Sequence, residues 1–186
     1  MNVVLRLALF VLLPLSVLAA ERPLKIDRSR SFVDVDVDAT KNFTAHLDRY
    51  EAKLTVDDAG KIKSGVFTFK FSDLKSGNGD RDADMIKWLG GGDPEGRFEL
   101  GNLAITPNGQ GQASGRLTFH GATERVEFPI NLTKEEGSYS ITAETTIDYR
   151  RWNLKVIRKA FLFTVDPLVK IRFKLTGTVV PEPAKP

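Results

Sequence analysis

Apolar and polar residues alternate one by one through most of this chain. In one clear example, Val33, Val35 and Val37 alternate with aspartates. Because successive side chains of a strand point to opposite faces of a sheet, each run of this kind predicts a β-strand with one apolar face. The sequence contains about eight such runs, at residues 31–38, 43–56, 61–72, 97–106, 112–120, 124–133, 138–149 and 168–180.

The segments between most of these runs are short and rich in turn-forming residues, as at 107–109 and 134–137. Short turns join antiparallel neighbours, whereas parallel strands need long crossovers. Within the run 43–56 the apolar positions change parity between Leu47 and Tyr50, which predicts a bulge or a sharp bend. Eight strands with one apolar face each close on themselves or form a sandwich, and a closed barrel of this size can hold one small ligand. We predict an all-β fold and, of these two forms, the single antiparallel barrel of roughly eight strands.

One stretch departs from the alternation and favours a helix. Residues 81–89 lie between the third and fourth predicted strands and place Met85, Trp88 and Leu89 on one apolar face. We expect Asp80 or Asp82 to cap the start of this helix and the three glycines at 90–92 to end it. A short amphipathic helix at this place would close one end of a barrel.

The two ends of the chain are expected to lie outside the barrel. Residues 1–20 combine Arg6, an apolar stretch from Leu7 to Leu18 and small residues before Glu21, which is the three-part pattern of a cleaved secretory signal peptide. The apolar stretch is shorter than the roughly 20 residues that a membrane-spanning helix needs. We therefore predict export, a barrel at residues 21–180 and a flexible proline-rich tail at 181–186.

Composition removes several classes of chemistry. The 186 residues include no cysteine and two histidines, so disulfides, thiolate metal ligands and a cysteine nucleophile are excluded. The net charge of +3 comes from 27 basic and 24 acidic side chains that are interspersed, which does not form a nucleic-acid-binding stripe. His120 begins a turn where no partner base or nucleophile is evident. We expect no metal site, no cofactor, no nucleic acid partner and no catalytic residues.

Bulky apolar side chains dominate the predicted inner face. Phe67, Phe69 and Phe71 form a stripe on one strand, and residues of matching parity on other strands are Phe119, Phe128 and Phe173. These rings could line a tunnel for a lipid, because flat apolar chains pack well between aromatic rings. They could equally fill a solid core, as in many small barrels. Alternation alone leaves both interpretations open.

Four segments carry a resemblance to a known family. Residues 76–82 (SGNGDRD) are similar to a TGNxxRD segment before a short helix, and residues 117–123 (LTFHGAT) are similar to an LTIHGVTK hairpin. Residues 147–152 (IDYRRW) and the opening at 26–33 also match, in the same order along the chain. Together they resemble the YceI-like polyisoprenoid-binding proteins across about residues 24–180. The chain departs from the family pattern at Arg30, where the family has histidine. It departs again at residues 88–96, whose sequence differs from the family's usual segment after the helix.

The resemblance implies a periplasmic, lipocalin-like barrel that carries a long isoprenoid lipid, of the quinone or polyprenyl type, and that is not an enzyme. It implies a long-chain amphiphilic lipid as partner, transient membrane contact, and leaves a homodimer open. A solid-core structural or stress-related module is the alternative, and a lipid-modifying enzyme a more distant one. The residues expected to bind the ligand are Val33, Val35, Val37, Phe67, Phe69, Phe71, Met85, Trp88, Phe119, Phe128, Ile130, Ile141 and Phe173, with Asn78, Arg81 and His120 near the headgroup.

Overall fold

Strands follow the alternating runs along almost the whole chain. The computed structural model describes residues 21–159 and 163–181. The strands are β1 Arg22–Ile26, β2 Phe32–Ala39, β3 Phe43–Leu47, β4 Tyr50–Val56, β5 Ile62–Lys70, β6 Leu74–Lys75, β7 Glu95–Ile105, β8 Gln110–Phe119, β9 Ala122–Glu135, β10 Ser138–Asp148, β11 Arg158–Lys159 and β12 Phe163–Val179. The helix α1 spans Gly79–Trp88. The predicted signal peptide and residues 182–186 of the predicted tail lie outside the described residues.

The strands close into an antiparallel barrel with eight positions in its wall. The hydrogen-bonded order is β1-β4-β5-β7-β8-β9-β10-β12, and β12 returns to β1 through residues 177–179. Upstream on the same edge, residues 165–174 of β12 pair with β2. Three of the eight places in the wall are therefore occupied by two consecutive strands that follow one another end to end: β1 and β2, β3 and β4, and β5 and β6. The predicted closed all-β barrel is confirmed.

The wall bends where the parity changes. The predicted single strand 43–56 is divided into β3 and β4, with Asp48 and Arg49 between them. The neighbouring position bends at the same level, and Asp73 ties the two bends together. Its carbonyl accepts from the N–H of Asp48 at 3.0 Å, and its buried carboxylate accepts from Arg49 Nε at 2.7 Å. The predicted bend between Leu47 and Tyr50 is thus correct, and the strand break follows from it.

Two local predictions need correction. The helix cap is Asn78 rather than Asp80 or Asp82, because Asn78 has extended backbone and its side-chain oxygen accepts from the N–H of Arg81 at 3.0 Å. Both aspartates lie inside the first turn. The strands β1, β6 and β11 were not predicted, since each is too short to show a periodic pattern.

The glycines that follow α1 all have left-handed backbone, with φ between 73° and 98°, and the N–H of Gly91 donates to the carbonyl of Ile86. They end the helix as predicted.

Among the described helices, none combines the length and the apolar composition that crossing a membrane requires.

Candidate functional site

The barrel encloses a cavity of about 380 Å³. Its wall consists of the inward-facing residues of the strands together with one side of α1, and these are almost all apolar. The inward side chains of β2 and β5, such as Val35 and Phe67, are only partly buried although they point into the barrel. They contact neighbouring side chains on one side and border the open space of the cavity on the other. The interior is therefore hollow in its middle, whereas a filled core would bury these positions completely.

Aromatic rings form a continuous line inside the barrel, and its four middle rings, Phe67, Phe69, Phe71 and Phe119, line the cavity. Neighbouring ring centroids are 4.6 to 5.9 Å apart through Tyr50, Phe67, Phe69, Phe71, Phe119 and Trp152. Glycines on adjacent strands make room for two of the aromatic rings that line the cavity. A Cβ at Gly96 would lie 2.3 Å from the ring of Phe69, and one at Gly115 would lie 2.5 Å from that of Phe98. These two glycines set how far the rings reach into the cavity.

One end of the barrel is closed by buried side chains, and we call it the closed end. Leu24, Val56 and Tyr139 form a separate apolar cluster there, in which Val56 is 0% and Tyr139 is 2% exposed. The Tyr139 hydroxyl donates to the Gly60 carbonyl at 3.0 Å, and the ammonium of Lys134 lies 5.4 Å from the centre of the tyrosine ring. The polar atom of this tyrosine is thus satisfied.

The opposite end is covered by α1 and by the segment after β10, and we call it the helix end. Trp88 Nε1 donates to the Lys155 carbonyl at 2.8 Å, and its indole meets the ring of Tyr149 edge-on at 5.0 Å. Beside them Trp152 is 0% exposed, stacks on Phe119 at 4.6 Å, and donates its indole N–H to the carbonyl of Leu117. Two tryptophans therefore attach this cover to the barrel.

Among the described residues, the charged side chains of the cavity lining all lie at the helix end. The guanidinium carbon of Arg81 lies over the ring of Phe43, 3.8 Å from the ring centre. Its Nη1 is buried and, within the part of the chain that the structure describes, has no hydrogen-bond partner. The carboxylate of Asp82 accepts from both the N–H and the hydroxyl of Ser76, at 3.0 and 2.6 Å. Asp84, with Lys87 Nζ at 4.0 Å, completes the charged part of the lining.

Fourteen of the sixteen residues expected to bind a ligand line this cavity. They are Val33, Val35, Val37, Phe67, Phe69, Phe71, Arg81, Met85, Trp88, Phe119, Phe128, Ile130, Ile141 and Phe173. Asn78 does not line it, because its side chain caps α1. His120 does not line it either. It has left-handed backbone (φ 47°), and its Nδ1 lies 2.9 Å from the Trp152 carbonyl, to which it donates.

Several lining residues were not anticipated from sequence. The most informative is Phe43, which supplies the surface for Arg81 but stands alone at the start of β3. Its partner is distant in sequence, so no local pattern could indicate the pair. Phe98 and Leu100 follow the alternation of β7 and could have been included on that ground. Across the described residues, no group of three or more metal-ligating side chains is placed to bind an ion.

Charged residues on the outer wall pair with one another rather than with the cavity. Asp34 and Asp36, on the polar face of β2, both contact Arg172 of β12, and Arg172 Nε donates to Asp36 at 2.7 Å. The guanidinium of Arg172 and then the hydroxyl of Thr44 lower the pKa of Asp36 to about 2. This charged face is a solvated strand surface that joins two strands.

Comparison with known proteins agrees with this architecture. The family model described as "YceI-like domain" matches residues 24–177. BcnA from Burkholderia cenocepacia superposes with a TM-score of 0.69 at 18% identity, over 83% of this chain and 100% of that one. A YCEI protein from Campylobacter jejuni gives 0.60 at 15% identity, over 76% and 87%. At these identities the structural likeness concerns the fold. No curated protein matches the chain in sequence.

Proposed function

Because this chain belongs to the YceI-like domain family, we propose that it is an exported carrier that holds the apolar chain of a long isoprenoid lipid inside its barrel. The lipid would be of the isoprenoid quinone or polyprenyl type. The protein would bind it without chemical change, and it would do so in the periplasm after removal of residues 1–20. The family and the barrel are consistent with an apolar ligand.

The observation that carries the proposal is the hollow apolar cavity of about 380 Å³, closed at one end by buried residues. Burial of a hydrocarbon chain in such a space gains about 0.8 kcal/mol per CH₂ group relative to water. A membrane offers the same chain an equally apolar environment. Transfer between bilayer and barrel is therefore close to balanced, and this balance suits a carrier that loads and unloads.

The alternative roles have less support. A solid-core module would fill its interior, whereas Val35 and Phe67 border open space. A lipid-modifying enzyme would need a reactive group beside the lipid. The imidazole of His120 instead donates to a backbone carbonyl and lies outside the lining. We therefore propose binding and not catalysis.

The proposed carrier role includes transient contact with a membrane. The helix end is the natural side for this contact, since exposed Lys155 and Arg158 lie in the segment that covers it. Cations near a surface are attracted to anionic lipids.

Fractionation of cells that produce the chain with and without residues 1–20 tests export. Native mass spectrometry shows whether two copies associate.

The test of lipid binding compares two substitutions that add the same volume. Ala52→Phe places a ring in the cavity beside Phe67, its cross-strand partner, and Ala104→Phe places one on the exposed outer wall. We expect wild-type protein and Ala104→Phe, purified from cells that naturally produce the protein, to yield a long-chain lipid on organic extraction. Ala52→Phe should stay folded and lose most of it. A wild-type protein without lipid, or equal lipid in both variants, would contradict the proposal.

A further inference from the structure

The helix α1 lies between two open spaces. On one side it covers the barrel cavity, and on the other it borders a separate cleft of about 270 Å³ beside the segment that precedes it. The cleft is lined by Phe71, Ser72, Lys75, Gly79, Asp82, Ala83 and Ile86. All ten residues of α1 are described, and none of them is buried. An element with so few buried contacts belongs to the least stable part of a fold.

The contacts of α1 with the barrel can break while the barrel wall stays intact. Trp88 Nε1 donates to the Lys155 carbonyl at an exposed position, and the guanidinium carbon of Arg81 lies over the ring of Phe43. Both contacts are made by side chains of the helix, and its backbone takes no part in the hydrogen-bonded strands of the wall. The helix can therefore leave its place without unfolding the barrel.

Glycines stand on both sides of α1. Gly77 precedes the helix, and Gly90, Gly91 and Gly92 follow it. All four have left-handed backbone, with φ between 73° and 98°. A Cβ at any of them would meet no atom of the other described residues within 4 Å, its chain neighbours aside. One left-handed residue is enough to end a helix, so three in succession exceed what the helix end requires. Such unobstructed glycines are suited to act as hinges.

We propose that α1 is a lid that turns about these glycines towards the cleft, and that this movement sets the rate at which an apolar ligand enters and leaves the barrel. Gly77 and residues 90–92 are its two hinges. Turning towards the cleft separates Trp88 from Lys155 and opens a path between the helix and the segment after β10. The inference rests on the proposed function, because it concerns the passage of a ligand into the cavity.

The concentration dependence of binding reveals a lid. The neutral dye Nile red is mixed with the mature protein, freed of lipid, and the rate of binding is followed by stopped-flow fluorescence. If opening precedes binding, the observed rate levels off as the dye concentration rises, because opening itself becomes limiting. We expect this plateau for the wild type. Dissociation is measured by dilution of the complex into excess lipid vesicles, and the equilibrium affinity is measured by titration.

Stiffer hinges should slow the movement in both directions. Asparagine tolerates left-handed backbone, so Gly90→Asn combined with Gly92→Asn fits the closed conformation. We expect the plateau rate and the dissociation rate to fall together, by about twofold to fivefold for each glycine because backbone freedom is lost. The equilibrium affinity should not change. The matched control is Gly137→Asn in the turn between β9 and β10, with φ 78° and equally open surroundings, which should leave both rates unchanged.

A bulky side chain in the cleft tests the direction of the movement. Ala83→Phe places a ring in the cleft, whereas Asp80→Phe adds the same ring to α1 away from both open spaces. Both positions are exposed, so both variants should fold, and thermal unfolding checks this. Ala83→Phe should slow binding and dissociation alike, and Asp80→Phe should have wild-type rates.

The outcomes separate the lid from the proposed function. If the observed rate rises in proportion to the dye concentration throughout, or if the asparagine variant binds and releases the dye at wild-type rates, α1 is not the lid although the cavity still binds apolar ligands. Slower dissociation alone, with tighter affinity, would also overturn the inference, because a lid changes both rates. Wild-type rates in Ala83→Phe would overturn the movement towards the cleft. If wild-type protein neither binds the dye nor carries a lipid from its cells, the proposed function fails and the lid fails with it.

Discussion

The two ends of the barrel are closed in different ways. At the closed end an apolar cluster fills the opening, and the Tyr139 hydroxyl within it donates to the Gly60 carbonyl. At the helix end a separate element covers the opening, held by Trp88 and followed by three glycines in left-handed conformation. Among the described residues, Arg81 Nη1 at the helix end and Arg22 Nε beside the closed end are both buried without a hydrogen-bond partner, so this feature does not separate the two ends. The difference indicates that the closed end is a packed part of the core, whereas the helix end is a separate cover that borders the cavity.

The largest expected effect tests the closed end. Tyr139→Ala should lower the free energy of unfolding by about 3 to 5 kcal/mol, because it removes a fully buried ring and leaves a cavity. Met85→Ala at the helix end should cost only about 1 kcal/mol, because that side chain already borders open space. Urea unfolding of both variants measures the two values. Equal costs would show that the ends do not differ in this way.

A smaller effect is expected where Trp88 attaches the cover. Trp88→Phe keeps a ring against Tyr149 but loses the hydrogen bond to the Lys155 carbonyl, which should lower stability by about 1 kcal/mol. The main consequence should be faster lipid transfer to vesicles, by several fold, and faster hydrogen exchange of the α1 amides. Stopped-flow transfer and hydrogen-exchange mass spectrometry provide these readouts.

The matched control changes the other tryptophan of the same end. Trp152→Phe alters a residue that is fully buried against Phe119. It should reduce the stability of the barrel without a selective increase in exchange at α1. If both substitutions accelerate transfer equally, the helix is not the mobile part of the cover.

The smallest effect concerns the wall between the two ends. The folded state holds the pKa of Asp36 at about 2, below the ordinary value of 3.8, mainly through Arg172. A lowered folded pKa gives stability that is complete above about pH 4 and is lost as the pH falls towards 2. Because both side chains are partly exposed, we expect this to amount to about 1 kcal/mol.

Unfolding at pH 6 and at pH 2.5 tests this contribution. Asp36→Asn should be about 1 kcal/mol less stable than wild type at pH 6, and this deficit should fall to about a third at pH 2.5, because a group with a folded pKa of about 2 is then only partly protonated. Asp38→Asn, at an exposed position of the same strand, is the control and should track the wild type at both values. An Asp36→Asn deficit of the same size at both pH values would point to a packing defect instead of the ion pair.

Sequence patterns predicted those parts of the molecule that depend on neighbours along the chain. Alternation gave the long strands, the parity change at Leu47 and Tyr50 gave the bend, and the glycines at 90–92 gave the end of the helix. The pairing of Arg81 with Phe43 joins two elements that are far apart in sequence, so no periodicity indicates it. The same holds for His120, whose role as a turn residue bound to the Trp152 carbonyl depends on a contact across the barrel.

The pairing of β1 with β12 has a consequence for how the chain folds. Leu24, near the start of the described chain, lies opposite Val179, near its end. As the polypeptide emerges from N to C terminus, the seam cannot form until the last strand is available. Until then the unpaired edges of a partly assembled sheet are exposed, and contacts between such distant residues form slowly. We therefore expect that deletion of the final strand leaves an aggregation-prone intermediate, and that chaperones act on this protein before its barrel closes.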